Sequence, residues 1–251
     1  MDDILKKSLV IIPAFNEQAA LPALIAEVRA VAPATDILVI NDCSLDRTAA
    51  VARAQGVRVL DLPCNLGVGG AVQAGFRYAY AQGYSYIIRC DGDGQHPPSE
   101  IPKLVAMMAE GKVDLVVASR FLENDEESYK STRFRYAGIR GLALLLSLIC
   151  RARVTDPTSG FQMMNRPLIS YFARSYPLDY PEPESLALLR RQGYRFCEVG
   201  ARFRPRTTGV SSIQSSGAFY YMFKVGLALA VDRARTVNSR YARHNVIQEV
   251  P

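Results

Sequence analysis

The sequence predicts an α/β fold: a mostly parallel, Rossmann-like sheet with helices on both faces. Short β-branched runs, such as those at 9–12 and 37–40, alternate with segments in which apolar residues recur every three or four positions. This alternation is typical of parallel strands joined by helices. The 251 residues are 49% hydrophobic and 22% charged, a composition typical of globular proteins and sufficient for one large core.

The elements are predicted in the following order. Strands are expected at 8–12, 37–40, 57–60, 84–88, 113–119 and 195–199, with another after the turn-rich segment 155–161. Helices are expected from 21 to 28, from 48 onward, and over 71–81, 97–110, 134–150, 181–192 and 219–231. The charged segment 123–130 has no periodicity, and we expect a mobile loop there.

Residues 1–212 are predicted to form one domain, followed at 213–251 by an amphipathic helix and a basic tail. The segment 201–251 holds 8 of the 30 basic residues and 2 of the 24 acidic ones, so the rest of the chain is balanced. This local excess predicts an anionic partner, either substrate phosphate or an acidic membrane surface. Nucleic acid is not expected as a partner, because no nucleic-acid-binding motif accompanies the charge.

The two apolar helices, 139–150 and 218–231, are too short to cross a bilayer. They are expected to pack in the core, to form a homo-oligomer, or to make peripheral contact with a membrane. The acidic start Met1-Asp2-Asp3 does not resemble a signal peptide. We therefore expect a cytoplasmic protein, peripheral on the inner face of the membrane if these helices meet lipid.

The five cysteines form no CxxC pair. Their odd number argues against a disulfide framework, and we expect buried free thiols.

The segment Asp91-Gly92-Asp93-Gly94-Gln95 directly follows the fourth predicted strand. Two carboxylates separated by one glycine, with an amide oxygen nearby, suit a hard cation that takes its other ligands from substrate phosphates and water. The same residues are also typical of turns. Asn16, Glu17 and Asp42 follow other strands and are expected at the same edge, where parallel sheets bind ligands. Together these clusters favour a nucleotide site over a set of turns.

Gly67-Val68-Gly69-Gly70 precedes a helix but completes neither a dinucleotide fingerprint nor a P-loop. Our interpretation is packing at the helix start, with the backbone around Gly69 close to a base or ribose.

Seven motifs in this order resemble family 2 glycosyltransferases, and most closely the branch of dolichol-phosphate mannose synthase and bacterial polyprenyl-phosphate glycosyltransferases. They are Val10–Glu17, Asn41–Thr48, Asn65–Gly67, Asp91–Pro98, Ala118–Phe121, Asp156–Phe161 and Arg206-x-x-Gly209-x-Ser211. The resemblance implies a GT-A fold, a nucleotide-diphosphate sugar donor, Mg²⁺ or Mn²⁺ as cofactor, and inversion at the anomeric carbon.

The resemblance also implies roles for individual residues. Those implied to line the nucleotide pocket are Pro13, Ala14, Asn16, Glu17 and Asp42, with Asp42 near the base. Those implied to hold the metal and diphosphate are Asp91, Asp93 and Gln95, and those implied to face phosphate are Arg120, Arg206 and Ser211. Cations placed in advance at the growing charge of the leaving diphosphate accelerate such a reaction, so Asp93 and Arg206 are the expected catalytic residues.

The acceptor stays open between two alternatives. One is polyprenyl phosphate, which is already an anionic nucleophile; the other is a sugar hydroxyl in cell-surface polysaccharide assembly, which needs a general base. Glu184 is the candidate base, although an acid in a first helical turn is also explained by the helix dipole. Minor alternatives are a nucleotidyltransferase, which would normally show a glycine-rich basic loop after the first strand, and a non-catalytic nucleotide-binding protein.

Overall fold

The computed structural model describes residues 1–123 and 133–205, with backbone alone for 133–135. Arg206, Ser211, the predicted helix 218–231 and most of the charged segment 123–130 lie outside these ranges. The predicted division at residue 212 is likewise outside them.

Among the described residues, seven strands form one sheet in the order β3-β2-β1-β4-β6-β5-β7. They are β1 (Ser8–Ala14), β2 (Asp36–Asn41), β3 (Arg58–Asp61), β4 (Tyr86–Arg89), β5 (Leu115–Ser119), β6 (Gln162–Asn165) and β7 (Phe196–Gly200). Only β6 is antiparallel to its neighbours, β4 and β5. The predicted mostly parallel α/β fold is therefore confirmed.

Eight α-helices lie within the described residues. They are α1 (Asp2–Lys6), α2 (Leu21–Val31), α3 (Thr48–Ala54), α4 (Gly67–Ala81), α5 (Ile101–Ala109), α6 (Arg133–Cys150), α7 (Arg166–Arg174) and α8 (Pro181–Arg191). A short 3₁₀ turn, Pro98–Glu100, precedes α5. The sequence did not predict α1 or α7; the latter begins at Asn165, whose side chain accepts a hydrogen bond from the Leu168 amide, as an N-cap does.

The sheet is covered on both faces, and β1 shows how. Successive side chains of a strand point to opposite faces of the sheet. All seven residues of β1 are buried, so both faces are covered at this strand. Leu9 and Ile11 pack in a core cluster with α4, α6, α7 and α8, whereas Val10 and Ile12 pack in a second cluster with α2 and α5. A strand buried on both faces is a continuous apolar run, as parallel sheets require.

All five cysteines are free, as predicted. Only Cys90 and Cys150 are buried, while Cys64 is exposed on the loop after β3, so the expectation of burial was wrong there. In the described part of the chain, no helix has the combined length and apolarity needed to cross a membrane.

Candidate functional site

The loops after β1 and β2 are joined to each other. The Asn16 amide donates to Ser44 Oγ at 3.0 Å, and Asn16 Oδ1 accepts from the Leu45 amide at 2.8 Å. The Glu17 amide donates to Thr48 Oγ1 at 2.9 Å. Asn16 has a φ of 58°, a conformation that asparagine tolerates better than most residues. Asn16 and Glu17 therefore lie at the predicted edge of the sheet.

Asp42 is 4% exposed and fixes the loop that leads into α4. Its Oδ1 accepts from the Leu66 amide at 2.7 Å, and its carbonyl accepts from Asn65 Nδ2 at 3.2 Å. The Asp42 amide donates to the carbonyl of Ala14 at 2.9 Å, while Pro13 is paired with Ile40 in the sheet. Pro13, Ala14 and Asp42 thus come together at one point, as predicted, while their contact with a nucleotide stays a prediction.

Gly69 belongs to the first turn of α4, so this helix starts earlier than the sequence indicated. A Cβ on Gly69 would lie 2.4 Å from the carbonyl oxygen of Leu178. Close packing against that backbone explains the glycine, and contact with a base or ribose stays a prediction.

Asp91, Asp93 and Gln95 form a compact turn against the end of β1, which we call the carboxylate turn. The Gln95 amide donates to Asp93 Oδ1 at 3.0 Å, and the Gly92 amide donates to the Pro13 carbonyl at 3.2 Å. A Cβ on Gly92 would lie 3.0 Å from that same oxygen, so a larger residue would push the turn away. The sequence left open whether this segment is a turn or a cation site. The two are compatible, because the turn itself contains both carboxylates.

His96 supports this turn from below. Its Nδ1 accepts from the Asp91 amide at 2.9 Å, and its ring stacks on Phe161 with centroids 5.2 Å apart and planes 9° apart. Phe203 meets the same ring edge-on. Burial lowers the pKa of His96, against the opposing effect of Asp91 and Asp93. A neutral imidazole that accepts at Nδ1 carries its proton on Nε2.

Arg89 is a buried cation directly beneath Asp91 and is 1% exposed. Its Nε and Nη2 lie 3.1 Å from Asp91 Oδ1, and Nη2 also lies 2.9 Å from Oε1 of Glu182 in α8. Burial disfavours the charge, but Asp91 and then Glu182 outweigh it, and the pKa of Arg89 is raised. Arg89 was not predicted as a site residue from the sequence, although a charged residue at the end of an apolar strand is a usable signal.

Gly160 packs closely against the ion pair of Arg89 with Asp91. A Cβ there would lie 2.8 Å from Arg89 Nη2 and 2.9 Å from Asp91 Oδ2. The segment 156–161, which the sequence singled out as a motif, therefore packs against the ion pair of Arg89 with Asp91.

Arg120 binds the same segment. Its Nε and Nη2 donate to the two carboxylate oxygens of Asp156 at 2.7 and 2.6 Å, and Nη2 also reaches Thr158 Oγ1. Asp156 is fully buried. Glu198 of β7 accepts from the amides of Thr155 and Asp156. The structure thus gives Arg120 a role in holding this turn, and its contact with phosphate stays a prediction.

The chain just before Arg206 passes beside the carboxylate turn. The Arg204 amide donates to the Gln95 carbonyl at 3.0 Å, and Arg204 Nη1 pairs with Glu27 at 2.9 Å. Arg206 and Ser211 themselves lie outside the described residues, and their roles stay predictions.

Glu184 lies in the first turn of α8, where its amide donates to the carbonyl of Tyr180. It is partly buried. The neighbouring Glu182 is the acid that reaches the carboxylate turn, through Arg89. A role for Glu184 as general base stays a prediction.

A sequence model described as "Glycosyl transferase family 2" matches residues 9–172, more than half of the chain. The chain belongs to glycosyl transferase family 2. It is therefore a glycosyltransferase. The matched region extends from β1 to β6 and includes the carboxylate turn.

Two curated relatives of this glycosyltransferase align over most of its length. Polyprenol monophosphomannose synthase from Mycolicibacterium smegmatis is 29% identical over 92% of this chain and 91% of the relative. Undecaprenyl-phosphate mannosyltransferase from Micrococcus luteus is 30% identical over 80% of this chain and 78% of the relative.

Solved structures agree on the fold. Glucosyl-3-phosphoglycerate synthase from Mycobacterium tuberculosis, in complex with Mn²⁺, UDP and glucosyl-3-phosphoglycerate, superposes with a TM-score of 0.67 over 90% of this chain and 79% of that one. The sequences are 22% identical. This likeness shows that the glycosyltransferase has the GT-A fold.

The residues that would hold a divalent cation in this glycosyltransferase are Asp91, Asp93 and Gln95. Among the described residues, no three His, Cys, Asp or Glu side chains are grouped as a self-sufficient metal site. Two carboxylates in one turn instead fit the usual mode of Mg²⁺, which is bound by one or two carboxylates together with substrate phosphates. The donor set therefore fits a cation that is completed by a diphosphate.

Proposed function

We propose that this family 2 glycosyltransferase transfers a hexose from a nucleotide-diphosphate sugar to polyprenyl phosphate, with inversion at the anomeric carbon and with Mg²⁺ or Mn²⁺. The choice of acceptor is supported by one observation: the chain aligns, over nearly the full length of both proteins, with a relative named polyprenol monophosphomannose synthase. The second relative, named undecaprenyl-phosphate mannosyltransferase, supports the same class of acceptor.

The donor site is supported by the convergence of three loops. Asp42 would face the base, at the end of β2, and Asp91 and Asp93 would face the diphosphate, at the end of β4. Pro13 lies between them, since its carbonyl accepts from the Gly92 amide and β1 is hydrogen-bonded to both β2 and β4. A nucleotide bound across the end of β1 would contact all three loops.

The reaction follows from this placement. An oxygen of the acceptor phosphate forms a bond to the anomeric carbon on the face opposite the diphosphate. The bond from that carbon to the diphosphate breaks, and its electron pair stays on the leaving nucleoside diphosphate. The phosphate acceptor is already anionic, so this step needs no general base.

The growing charge on the leaving group has to be neutralised. A bound cation supplies Lewis-acid stabilisation of the diphosphate. Asp91, Asp93 and Gln95 would hold it, while Arg206 and Ser211 would bind the same phosphates. This assignment is supported by Arg204, whose amide is bonded to the Gln95 carbonyl only two residues before Arg206.

The proposed acceptor is membrane-bound, and α6 offers a surface for peripheral contact. Leu144 and Leu148 are 65% and 70% exposed, and Arg140, Arg151 and Arg153 are exposed nearby in the chain. An apolar stripe with basic flanks suits an anionic membrane interface at the cytoplasmic face. The alternative for the same stripe is contact with a second copy of the chain.

A second candidate is transfer to a sugar hydroxyl in polysaccharide assembly. It is supported by Glu184, which lies in the first turn of α8 two residues after Glu182, the acid that pairs with Arg89. In this case Glu184→Gln abolishes transfer and leaves donor binding intact. Full activity of that variant removes Glu184 as the base.

The deciding experiment is a screen of nucleotide sugars with Mg²⁺ or Mn²⁺. Release of nucleoside diphosphate is measured with polyprenyl phosphate present, with a water-soluble glycan present, and with neither. We expect release to depend on polyprenyl phosphate and to disappear in Asp93→Ala. Labelled sugar that appears on the glycan and never on lipid phosphate would show that the proposed acceptor is wrong.

A further inference from the structure

We propose that Arg89 and Glu182 form a buried charge pair that sets how strongly Asp91 binds the divalent cation. Glu182 acts in this pair as a positioning residue, through Arg89, and not as a general base. The inference rests on the proposed function in one respect, the use of a divalent cation at Asp91 and Asp93.

One nitrogen joins the two acids. Arg89 Nη2 lies 3.1 Å from Asp91 Oδ1 and 2.9 Å from Glu182 Oε1. The same nitrogen therefore contacts both carboxylates. Glu182 is on α8, whereas Asp91 follows β4. The contact therefore brings a charge from a distant part of the chain to the carboxylate turn.

The guanidinium has little freedom to leave this position. Arg89 is 1% exposed, and the backbone of Gly160 lies so close that a Cβ there would be 2.8 Å from Nη2. Arginine also keeps its charge in proteins. Within the described residues, Nη1 of Arg89 has no hydrogen-bond partner. The guanidinium therefore meets the two carboxylates through Nε and Nη2.

Because Arg89 is shared between Asp91 and Glu182, we infer that Glu182 influences how strongly the Asp91 carboxylate attracts a divalent cation. The negative charge of Glu182 offsets the charge of Arg89, so Asp91 keeps more of its negative potential for a cation. With a neutral residue in place of Glu182, Arg89 acts on Asp91 alone and opposes the approach of a second positive charge. If the role of the pair were purely structural, removing one partner would destabilise the fold without a signed effect on metal affinity.

The test measures Mn²⁺ binding to the full chain by electron paramagnetic resonance of free Mn²⁺, first with no nucleotide and then with one fixed concentration of UDP or GDP for every variant, because a diphosphate would complete the site. Removing one nearby negative charge weakens attraction of a divalent ion by about tenfold at a high effective dielectric, so we expect Glu182→Gln to raise the Mn²⁺ Kd by about that factor. Arg89→Gln is expected to lower the Kd, and the double variant is expected to return to within about threefold of the wild type.

The control is Glu110→Gln, which removes the same charge just after α5, where Glu110 is exposed, and is expected to change the Mn²⁺ Kd by less than about twofold, since a surface charge is better screened. Thermal unfolding shows which variants are folded. If Glu182→Gln does not fold, the lower Kd expected for Arg89→Gln, and its return to near the wild-type value in the double variant, still test the proposal.

Two results overturn the inference, and they are distinguishable from failure of the proposed function. If wild type binds Mn²⁺ and Glu182→Gln has the same Kd, or if Arg89→Gln also weakens binding, the charge pair does not tune Asp91 and the transferase proposal is unaffected. If wild type binds no Mn²⁺ and transfers sugar in excess chelator, metal use itself is wrong, and the inference falls with it.

Discussion

Several independent contacts converge on Asp91. Arg89 binds its carboxylate, His96 accepts from its amide, and Gly160 packs against both Asp91 and Arg89. A ligand held from several sides loses little freedom when it binds, which is what a preorganised site requires. At the scale of single residues, the groups around Asp91 matter as much as the carboxylates themselves.

Gly160→Ala tests this packing. The new methyl group would meet Arg89 Nη2 and Asp91 Oδ2 at less than 3 Å, so the ion pair has to shift. We expect a loss of about 1–3 kcal/mol in the free energy of unfolding and a fall in donor turnover of about tenfold to hundredfold. Urea denaturation and the nucleotide-release assay measure the two effects.

A matched control is Gly111→Ala. Gly111 has a φ of 68° with open space around it and lies before β5, at the end of that strand away from the site. The strain costs about 1–2 kcal/mol, so stability falls comparably while turnover should be unchanged. Equal turnover losses in both variants would contradict a specific role for Gly160.

Glu198 gives a prediction about pH. Burial raises its pKa above the ordinary value of 4.5, although hydrogen bonds from Asp156 and Thr155 oppose the rise. The folded state therefore holds this proton more tightly than the unfolded chain, and the contribution to stability is full below pH 4.5 and lost as pH rises through the folded pKa. We expect wild type to lose stability relative to Glu198→Gln as the pH rises from 4.5 through the folded pKa of Glu198.

Urea denaturation at a series of pH values measures this difference, since other carboxylates are common to both proteins and cancel. Parallel stability curves for wild type and Glu198→Gln would contradict the assigned direction.

At the scale of elements, α6 combines two of the roles that the sequence left open. Leu142, Leu146 and Cys150 face the core and are about 1% exposed or less, whereas Leu144 and Leu148 are mostly exposed. Positions four apart lie on one face of a helix, so the buried and exposed residues form separate stripes. The helix is therefore a core element that also presents an apolar surface.

We expect Leu144→Glu/Leu148→Glu to weaken binding to vesicles that contain anionic lipid by about tenfold or more, because two exposed apolar side chains are replaced by charges that the surface repels. Cosedimentation with vesicles measures the effect. Each exposed site should change the unfolding free energy by less than about 0.5 kcal/mol.

The buried counterpart, Leu146→Glu, should unfold the protein because Leu146 is fully buried. If the exposed variant keeps its lipid affinity but changes from dimer to monomer in sedimentation, the stripe is instead an interface between copies of the chain.

At the scale of the whole molecule, the proposed ligands of the donor come from separate strands of one sheet. Asp42 follows β2, whereas Asp91 and Asp93 follow β4, with β1 between these strands. The described residues hold no complete metal site. Metal and nucleotide should therefore complete each other's sites.

This arrangement predicts coupled binding. We expect a nucleoside diphosphate to tighten Mn²⁺ binding by about tenfold or more, and Mn²⁺ to tighten nucleotide binding by the same factor, as linkage demands. Isothermal titration in both orders measures the two factors. Asp93→Ala should remove the coupling, and equal Mn²⁺ affinity with and without nucleotide in wild type would contradict it.

The α/β class, most strands, and the positions of Asp42, Asp91 and Asp93 at one edge could be predicted from the sequence, because hydrophobic period and turn residues are local signals. The antiparallel direction of β6 could not, since nothing within residues 162–165 records which strands lie beside them. The short helix α1 and the helix α7 also escaped prediction.

By itself, the sequence determined the family, through motifs whose order is fixed along the chain, and the chemistry of the carboxylate turn. Only the tertiary structure decided what surrounds that turn. Arg89 and Glu182 are far apart in the chain, and Arg120 meets Asp156 rather than solvent. Such pairings depend on how α8, β7 and the segment 155–161 pack, because burial makes an unpaired charge costly and brings its partner from wherever the fold places one.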